Sequence, residues 1–270
     1  MTTTYHRHES GHADLAALAA EDPPLSRLAL AAFAVAALAA LMVALAGPGS
    51  RLGWWHFGVG FSLLKWGAYL GILGALACLV ALFRTRESRG RITAVVGLVL
   101  ALGAVLVPWS FGRGARGAPP IHDITTDVRN PPAFVAIAPI RAREGATNPS
   151  AYEGEAVAAQ QQKAYPDIQP VMLALPISQA YDEALAAARD MGWRIVAENS
   201  DEGRIEATDQ TRWFGFKDDV VIRVMPASGV SRVDVRSVSR VGKGDTGTNA
   251  QRIRDYLERL KSRAPVASQG

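Results

Sequence analysis

The sequence predicts a membrane-anchored α+β protein, in which three transmembrane helices precede an antiparallel sheet domain with both of its helices on one face. Two observations support this prediction. The N-terminal part of the chain holds three uncharged apolar stretches of 18 to 20 residues each. The rest alternates apolar and polar residues with the periods of strands and amphipathic helices. Of the 270 residues, 49% are hydrophobic and 20% are charged.

The three apolar stretches are Leu28–Ala46, Trp66–Phe83 and Ile92–Phe111. Each is long enough to cross about 30 Å of hydrocarbon at about 1.5 Å per residue. A helix of this length in a soluble core usually carries a polar stripe. We therefore predict a three-helix transmembrane anchor over residues 28–111, after an N-terminal tail over residues 1–27.

Arginine distribution predicts the orientation of this anchor. The loop over residues 84–91 carries four arginines, whereas the loop over residues 47–56 carries only Arg51. Because loops rich in Lys and Arg stay in the cytoplasm, we expect a cytoplasmic N-terminus and an external C-terminal domain. Aromatic residues typical of a membrane interface flank the predicted external ends: Trp54, Trp55, Trp66, Tyr69, Trp109 and Phe111.

Proline density marks the segment that follows the anchor. Ten of the 15 prolines fall between residues 108 and 176, and proline disfavours both helix interiors and central strands. Residues 112–168 are therefore predicted to form an extended arm, with one short helix around Ser150–Gln162. The alternation over Ile121–Asp127 predicts an edge strand within this arm.

Residues 169–262 are predicted to form the α+β domain, in the order β-α-β-β-β-β-α, with a disordered tail over residues 263–270. The predicted strands are Val171–Leu175, Trp193–Glu198, Arg204–Thr208, Val220–Met225 and Val230–Val238, and the helices are Ser178–Met191 and Thr248–Lys261. Ser178 is the expected N-cap of the first helix, and Thr248 with Gln251 fits a capping box at the second.

The last strand alternates valines with charged residues. Val233 and Val235 face one way, and Arg232, Asp234 and Arg236 face the other. We expect the valine face to be buried and the charged face to be in water.

Composition excludes several classes of function. The net charge of +4 lies mostly before residue 112, and a nucleic-acid binder needs a basic face that the near-neutral remainder lacks. The single cysteine, Cys78, excludes intrachain disulfides and any metal site made of several cysteines. We expect no cofactor, no metal and no nucleic-acid partner.

The densest polar pattern joins the last strand, a glycine-rich loop and the start of the last helix. It contains Arg236, Ser237, Ser239, Arg240, Asp245, Asn249 and Arg252. A helix N-terminus beside arginines and glycines can bind an anion. The alternative is a structural loop fixed by its own side chains, in which Arg240 and Asp245 lie close to each other or to Asn249 and Arg252.

A second polar pattern is the carboxylate pair Asp218 and Asp219, which follows the aromatic residues Trp213, Phe214 and Phe216. Paired carboxylates can hold a metal or act as acid and base, although exposed aspartates are also usual beside a turn. The aromatic residues would contact a membrane surface or cover a groove.

These motifs also carry a resemblance to a family. Phe216–Val220, Ser239–Gly242, Asp245, Gly247, Asn249 and Arg252–Ile253 resemble the bacterial domain-of-unknown-function family 1499, over roughly residues 120–262. Members of this family have a cysteine before a proline, where this chain has Asn130-Pro131-Pro132. The resemblance implies a bacterial envelope protein and supplies no reaction.

Together these observations favour a periplasmic domain, anchored in the inner membrane, that binds another envelope protein or an anionic lipid or polysaccharide. We assign no catalytic residue. The alternative is a hydrolase or lyase that acts on an envelope substrate through Asp218, Asp219 and Arg240. A transporter would depend on Lys65, and three spans without internal repeats argue against that class.

Overall fold

The computed structural model describes residues 26–115, 117–244 and 246–267, with residues 113–115 described by their backbone alone. Its helices are α1 Arg27–Arg51, α2 Phe57–Arg84, α3 Ser88–Ala115, α4 Ile137–Arg143, α5 Glu155–Ala164, α6 Ile177–Asp190 and α7 Thr248–Arg263. Its strands are β1 Asp123–Thr125, β2 Val171–Leu173, β3 Arg194–Asn199, β4 Arg204–Gln210, β5 Lys217–Ala227 and β6 Val230–Ser239. Most of the predicted N-terminal tail and the end of the C-terminal tail lie outside the described residues.

Helices α1, α2 and α3 are each long and apolar enough to cross a membrane, which confirms the prediction of three membrane-competent helices. Glycines on α2 allow close packing. A Cβ atom added at Gly67 would lie 2.8 Å from Val43 of α1, and one added at Gly71 would lie 3.0 Å from the carbonyl oxygen of Ala101 of α3. The two glycines of this Gly-x-x-x-Gly pattern therefore pack against two different helices of the same chain.

The chain divides into two compact units. Of the described residues, the first contains 26–43 and 65–106, and the second contains 44–64, 107–115, 117–244 and 246–267. The second unit thus includes the C-terminal ends of α1 and α3, the N-terminal end of α2 and the whole sheet domain.

The second unit is built on an antiparallel sheet with the strand order β1-β6-β5-β4-β3. Strand β2 also pairs with β6, opposite Ser231–Val233, while β1 pairs with the other end of β6, opposite Arg236–Val238. The hairpins β3–β4 and β5–β6 form where the sequence predicts them. The predicted edge strand in the arm is present as β1.

Helices α6 and α7 pack on one face of this sheet, as predicted. Small residues such as Ala180, Ala184 and Ala188 let α6 lie close to the sheet, and all three are fully buried. Trp193 stacks on Tyr256 of α7 with 5.2 Å between ring centroids. The Tyr256 hydroxyl donates to the Ala184 carbonyl at 3.0 Å, so α7 is bonded directly to α6.

The opposite face of the sheet is covered as well, so the prediction of a face in water is wrong. Asp234 is 0% exposed and Arg236 is 2% exposed. Phe134 and Ile137, from the proline-rich segment, pack on Val221 and Val238 of this face. Asp234 and Arg236 are buried because residues 126–150 lie over them, whereas 31% of the Arg232 side chain stays exposed.

The proline-rich segment is more structured than the sequence indicates. It contains α4, which has no counterpart in the prediction, and α5, which corresponds to the predicted short helix. Ile121, Ile124 and Ile168 of this segment belong to the same core as α6 and α7. The boundary at residue 168 stays a prediction, although the core extends to both sides of it.

Both predicted N-caps differ from the structure. Helix α6 begins at Ile177 after Pro176, so Ser178 lies inside its first turn. Helix α7 begins at Thr248 after Gly247, which adopts φ 87°. Among the described residues, neither helix has a side-chain hydrogen bond at its N-cap. A left-handed conformation is easily reached by glycine, which explains why the chain enters α7 through Gly247 rather than through a capping box.

Candidate functional site

The predicted site residues lie on β5, β6 and the first turn of α7, but the alternation of the strands divides them between two faces. Successive side chains of a strand point to opposite faces. Asp219, Arg236 and Arg240 lie on the face covered by residues 126–150. Asp218, Ser237, Ser239, Asn249 and Arg252 lie on the face covered by α6 and α7. The residues that the sequence predicts to form one site therefore belong to two separate buried clusters.

Asp219 is the centre of the first cluster. Its carboxylate is 0% exposed and accepts hydrogen bonds from Arg141 at 2.7 Å and from Nε and Nη2 of Arg240, both at 2.8 Å. The Thr208 hydroxyl donates to the same carboxylate at 2.8 Å. Arg240 also donates to Glu144 at 2.6 Å. Two arginines from distant parts of the chain therefore share one buried carboxylate, and Glu144 supplies a second negative charge beside Arg240.

Arg236 forms a second ion pair on the same face. Its guanidinium donates to both oxygens of Asp123, at 2.9 and 2.7 Å, and to the carbonyls of Pro132 and Ser150 at 3.1 and 3.0 Å. It also lies 5.3 Å from the ring centroid of Phe134 and 5.5 Å from that of Tyr152. Such a position adds a cation–π contribution. Arg236 thereby fastens the proline-rich segment to β6.

The second cluster lies between the sheet and the first turn of α7. Arg252 donates to Asp218 at 2.6 Å and to Asp209 at 2.8 Å. The Asn249 side chain accepts from the Ser237 hydroxyl at 2.6 Å and donates to Ser239 at 2.9 Å. These bonds attach α7 to the ends of β4, β5 and β6.

Burial and pairing act in opposite directions on the pKa values of these groups. Burial raises the pKa of Asp123, while the hydrogen bond and positive charge of Arg236 lower it, and the net shift is upward. Burial lowers the pKa of Arg240, but Asp219 and Glu144 raise it, and the net shift is again upward. Burial also raises the pKa of Tyr152 to about 12. Arg240 therefore keeps its charge through its two carboxylate partners, burial keeps the Tyr152 phenol neutral, and Arg236 offsets part of the effect of burial on the pKa of Asp123.

The glycine-rich loop is the exposed part of the predicted site. Gly242, Lys243 and Gly244 are exposed. The Asn148 side chain donates to the carbonyls of Ser239 and Gly242 at 3.0 and 2.9 Å, so the proline-rich segment also holds this loop. Asp245 lies outside the described residues, and its predicted proximity to Arg240 stays a prediction.

The geometry limits the chemistry that the predicted residues can perform together. Asp218 and Asp219 point to opposite faces of the sheet, and each is bonded to arginine. Two carboxylates in this arrangement do not share a metal ion or a substrate. Among the residues that the structure describes, no group of three or more His, Cys, Asp and Glu side chains is arranged to hold a metal.

Three buried charged residues on the face covered by residues 126–150 were not among the predicted site residues: Asp123, Arg141 and Glu206. Glu206 is 0% exposed and accepts from the backbone N–H groups of Val135, Ala136 and Ile137 at 3.0, 3.0 and 2.8 Å. It also pairs with Arg204. For Asp123 and Glu206, which lie on strands, a charged residue in an alternating pattern was the available signal, but only the fold shows that these positions are covered.

A separate groove of about 540 Å³ lies at the C-terminal ends of α6 and α7. It is lined by Asp190, Met191, Asp255, Glu258, Arg259 and Ser262. None of these residues belongs to the predicted site.

Comparison with curated proteins gives no match. The family model described as protein of unknown function (DUF1499) matches residues 123–260, which are about half of the chain. The matched region begins at β1, inside the proline-rich segment, and ends in α7. It therefore contains both buried clusters and the segment that covers the sheet. The chain belongs to the DUF1499 family of proteins of unknown function, with three membrane-competent helices before the family domain.

Proposed function

We propose that this protein is a binding module of the bacterial envelope, anchored in the inner membrane with its N-terminus in the cytoplasm and its sheet domain in the periplasm. The arginine distribution supports the orientation. The loop between α2 and α3 lies within residues 84–91, a segment with four arginines. The connection between α1 and α2 contains no arginine, and Arg51 is the last residue of α1. A bias of this kind retains the arginine-rich loop in the cytoplasm.

Reporter fusions test this orientation. A reporter enzyme that is active only in the periplasm should be active after Gly270 and inactive after Glu87. A reporter that fluoresces only in the cytoplasm should give the opposite result at both positions. Fluorescence of the cytoplasmic reporter after Gly270 would contradict the proposed topology.

The pairing inside the domain supports binding rather than catalysis, and it is the observation on which the proposal depends. Four charged residues form ion pairs inside the domain and are each at most 5% exposed: Asp219, Arg236, Arg240 and Arg252. These residues therefore hold the segment 126–150 and α7 against the sheet. What the domain presents to a partner is its exposed surface, including the loop Gly242–Gly244 with Lys243.

We propose an anionic envelope ligand, such as a phosphorylated lipid headgroup or an acidic polysaccharide, for this loop. The positive charge of the exposed Lys243 favours a negatively charged ligand. The N-terminus of α7 favours one as well, because a helix N-terminus carries partial positive charge. The flexibility of the flanking glycines allows the backbone to approach a ligand closely.

Binding of a soluble polyanion to the full-length protein in neutral detergent micelles tests this assignment. Dextran sulfate is a suitable probe, measured by titration calorimetry at low salt. We expect Lys243→Gln to weaken binding several-fold, since one charge contact is lost. Lys261→Gln removes an exposed lysine from the C-terminal end of α7 and serves as the matched control. Equal affinities for the two variants would contradict a role for this loop.

A further inference from the structure

The loop between β4 and β5, Thr211–Phe216, has a defined shape that its own hydrogen bonds maintain. The Thr211 N–H donates to the Phe216 carbonyl, and the Phe216 N–H donates to the Thr211 hydroxyl, both at 2.9 Å. Gly215 adopts φ 73°, which lets the chain turn back. The closed loop projects three aromatic rings, those of Trp213, Phe214 and Phe216. We call this segment the docking loop.

Within the second compact unit, each ring of the docking loop contacts an aromatic ring at the end of a membrane-competent helix. Phe214 lies 5.1 Å from Phe61 of α2 between ring centroids. Trp213 lies 4.9 Å from Phe111 of α3. Phe216 lies 5.6 Å from Phe57 of α2. These separations are typical of favourable aromatic pairs.

Two glycines at the same helix ends provide the space for these rings. A Cβ atom added at Gly47 of α1 would lie 2.4 to 2.6 Å from three atoms of the Trp213 indole. One added at Gly60 of α2 would lie 2.8 Å from the Phe214 ring. Real Cβ atoms essentially never come this close to a heavy atom to which they are not bonded. Only residues without a side chain at these positions accommodate the docking loop where the structure places it.

Arg51, the last residue of α1, adds polar contacts to this apolar packing. Its guanidinium donates to the carbonyl of Thr211 at 3.4 Å and to that of Arg212. The aliphatic part of the same side chain lies against Gly215, where an added Cβ would be 2.9 Å from Arg51 Cγ. The basic end of α1 thus holds the backbone of the docking loop, while Phe214, at 9% exposure, is almost completely buried.

We propose that the docking loop is an intramolecular membrane-docking site, which binds the C-terminal ends of α1 and α3 and the N-terminal end of α2. The partner is the chain's own set of helix ends, because their glycines, rings and Arg51 complement the loop in shape and in hydrogen bonding. The family domain is then held at the membrane by a packed contact, in addition to the covalent connection that follows α3.

Hydrogen exchange of the full-length protein in lipid nanodiscs tests this proposal through a double-mutant cycle. Gly47→Ala introduces a methyl group into the space of the Trp213 ring. We expect amide exchange in residues 211–216 to become about tenfold faster, because overpacking displaces the loop. Amides of β5 and β6 should keep their wild-type rates, which shows that the domain remains folded.

Gly103→Ala is the matched control, since nothing lies within 4 Å of a Cβ atom at this helical glycine. It carries the same gain in helix propensity and should leave exchange in the loop unchanged. In a Trp213→Ala background, Gly47→Ala should have no further effect on the loop. The proposal is overturned if Gly47→Ala leaves the loop protected, if Gly103→Ala accelerates it equally, or if the effect of Gly47→Ala persists without the Trp213 ring.

Discussion

The ion pair between Arg236 and Asp123 allows a sharp test of the view that the buried charges stabilise the fold. Both side chains are nearly inaccessible, at 2% and 1% exposure, and the guanidinium makes four hydrogen bonds between two aromatic rings. Arg236→Met keeps most of the aliphatic stem and removes the charge and every donor. Asp123 would then be a buried carboxylate without its counterion.

Removal of one partner of a buried ion pair costs about 3–5 kcal/mol of folding free energy. The chain provides a matched control in Arg254, which donates to both oxygens of Asp167 at 2.6 and 2.9 Å and lies 5.3 Å from the Tyr165 ring centroid. This pair has the same geometry, but its side chains are 32% and 54% exposed. Exposed pairs contribute about 0–1 kcal/mol, so Arg254→Met should cost at least about 2 kcal/mol less than Arg236→Met.

Pulse proteolysis of the full-length variants in urea measures both free energies. Adding Asp123→Asn to Arg236→Met should recover part of the loss, because no buried charge then remains. If Arg236→Met proves no more destabilising than Arg254→Met, the buried pairs do not stabilise the fold and the reasoning fails.

The same variant has a predictable dependence on pH. Burial raises the pKa of Asp123, and Arg236 lowers it through a hydrogen bond and its charge, so the substitution raises this pKa further. Because the folded-state pKa then exceeds the unfolded value of about 3.9, protonation favours the folded state. The deficit of Arg236→Met relative to wild type should shrink as the pH falls from 8 to 5. A deficit that stays constant or grows over this range would show that Asp123 does not carry the effect.

Three further predictions concern the same domain. A fragment of residues 118–264 should unfold in one cooperative thermal transition, because it holds the whole core that α6 and α7 form with the sheet; aggregation or the absence of a transition would count against the boundary. Glu206→Gln should cost about 1–3 kcal/mol and accelerate hydrogen exchange of residues 135–137 while α6 stays protected, since a neutral amide binds the α4 amides less well. Arg240→Ala should cost about 3–5 kcal/mol in urea unfolding because Asp219 loses a buried partner, whereas Asp245→Ala should cost about 1–2 kcal/mol, the scale of one lost hydrogen bond to a charged group. Equal and small losses for Arg240→Ala and Asp245→Ala would favour a ligand-binding role for Arg240.

The membrane helices could be predicted from local sequence alone. A run without charge, such as Leu28–Ala46, is membrane-competent whatever its neighbours do, because its length and apolar character are properties of the run itself. The hairpin β5–β6 was predictable for a similar reason. Its strands alternate over Val220–Met225 and Val230–Val238, and Ser228 and Gly229 form the tight turn between them, both with positive φ.

The burial of the charged residues of β6 could not be predicted in this way. The alternation correctly separates Val233 and Val235 from Asp234 and Arg236, yet it does not show what covers the second set. The cover contains few apolar residues, chiefly Phe134 and Ile137, and its prolines indicated an extended arm. Helix α4 is missed because its first amides are bound by Glu206, about seventy residues away in the chain, rather than by a local cap.

By itself, therefore, the sequence determined the three spans, the order of the main strands and helices, and the residue types that gather near the end of β6. Those features depend on the periodicity and polarity of neighbouring residues, which a linear chain displays. Only the tertiary structure decided that Asp218 and Asp219 lie on opposite faces, that Arg141 and Arg240 share Asp219, and that Gly47 and Gly60 leave room for the docking loop. Pairings between distant segments decide these features, because a buried charge or a tightly packed ring is stable only where its partner, from elsewhere in the chain, is already in place.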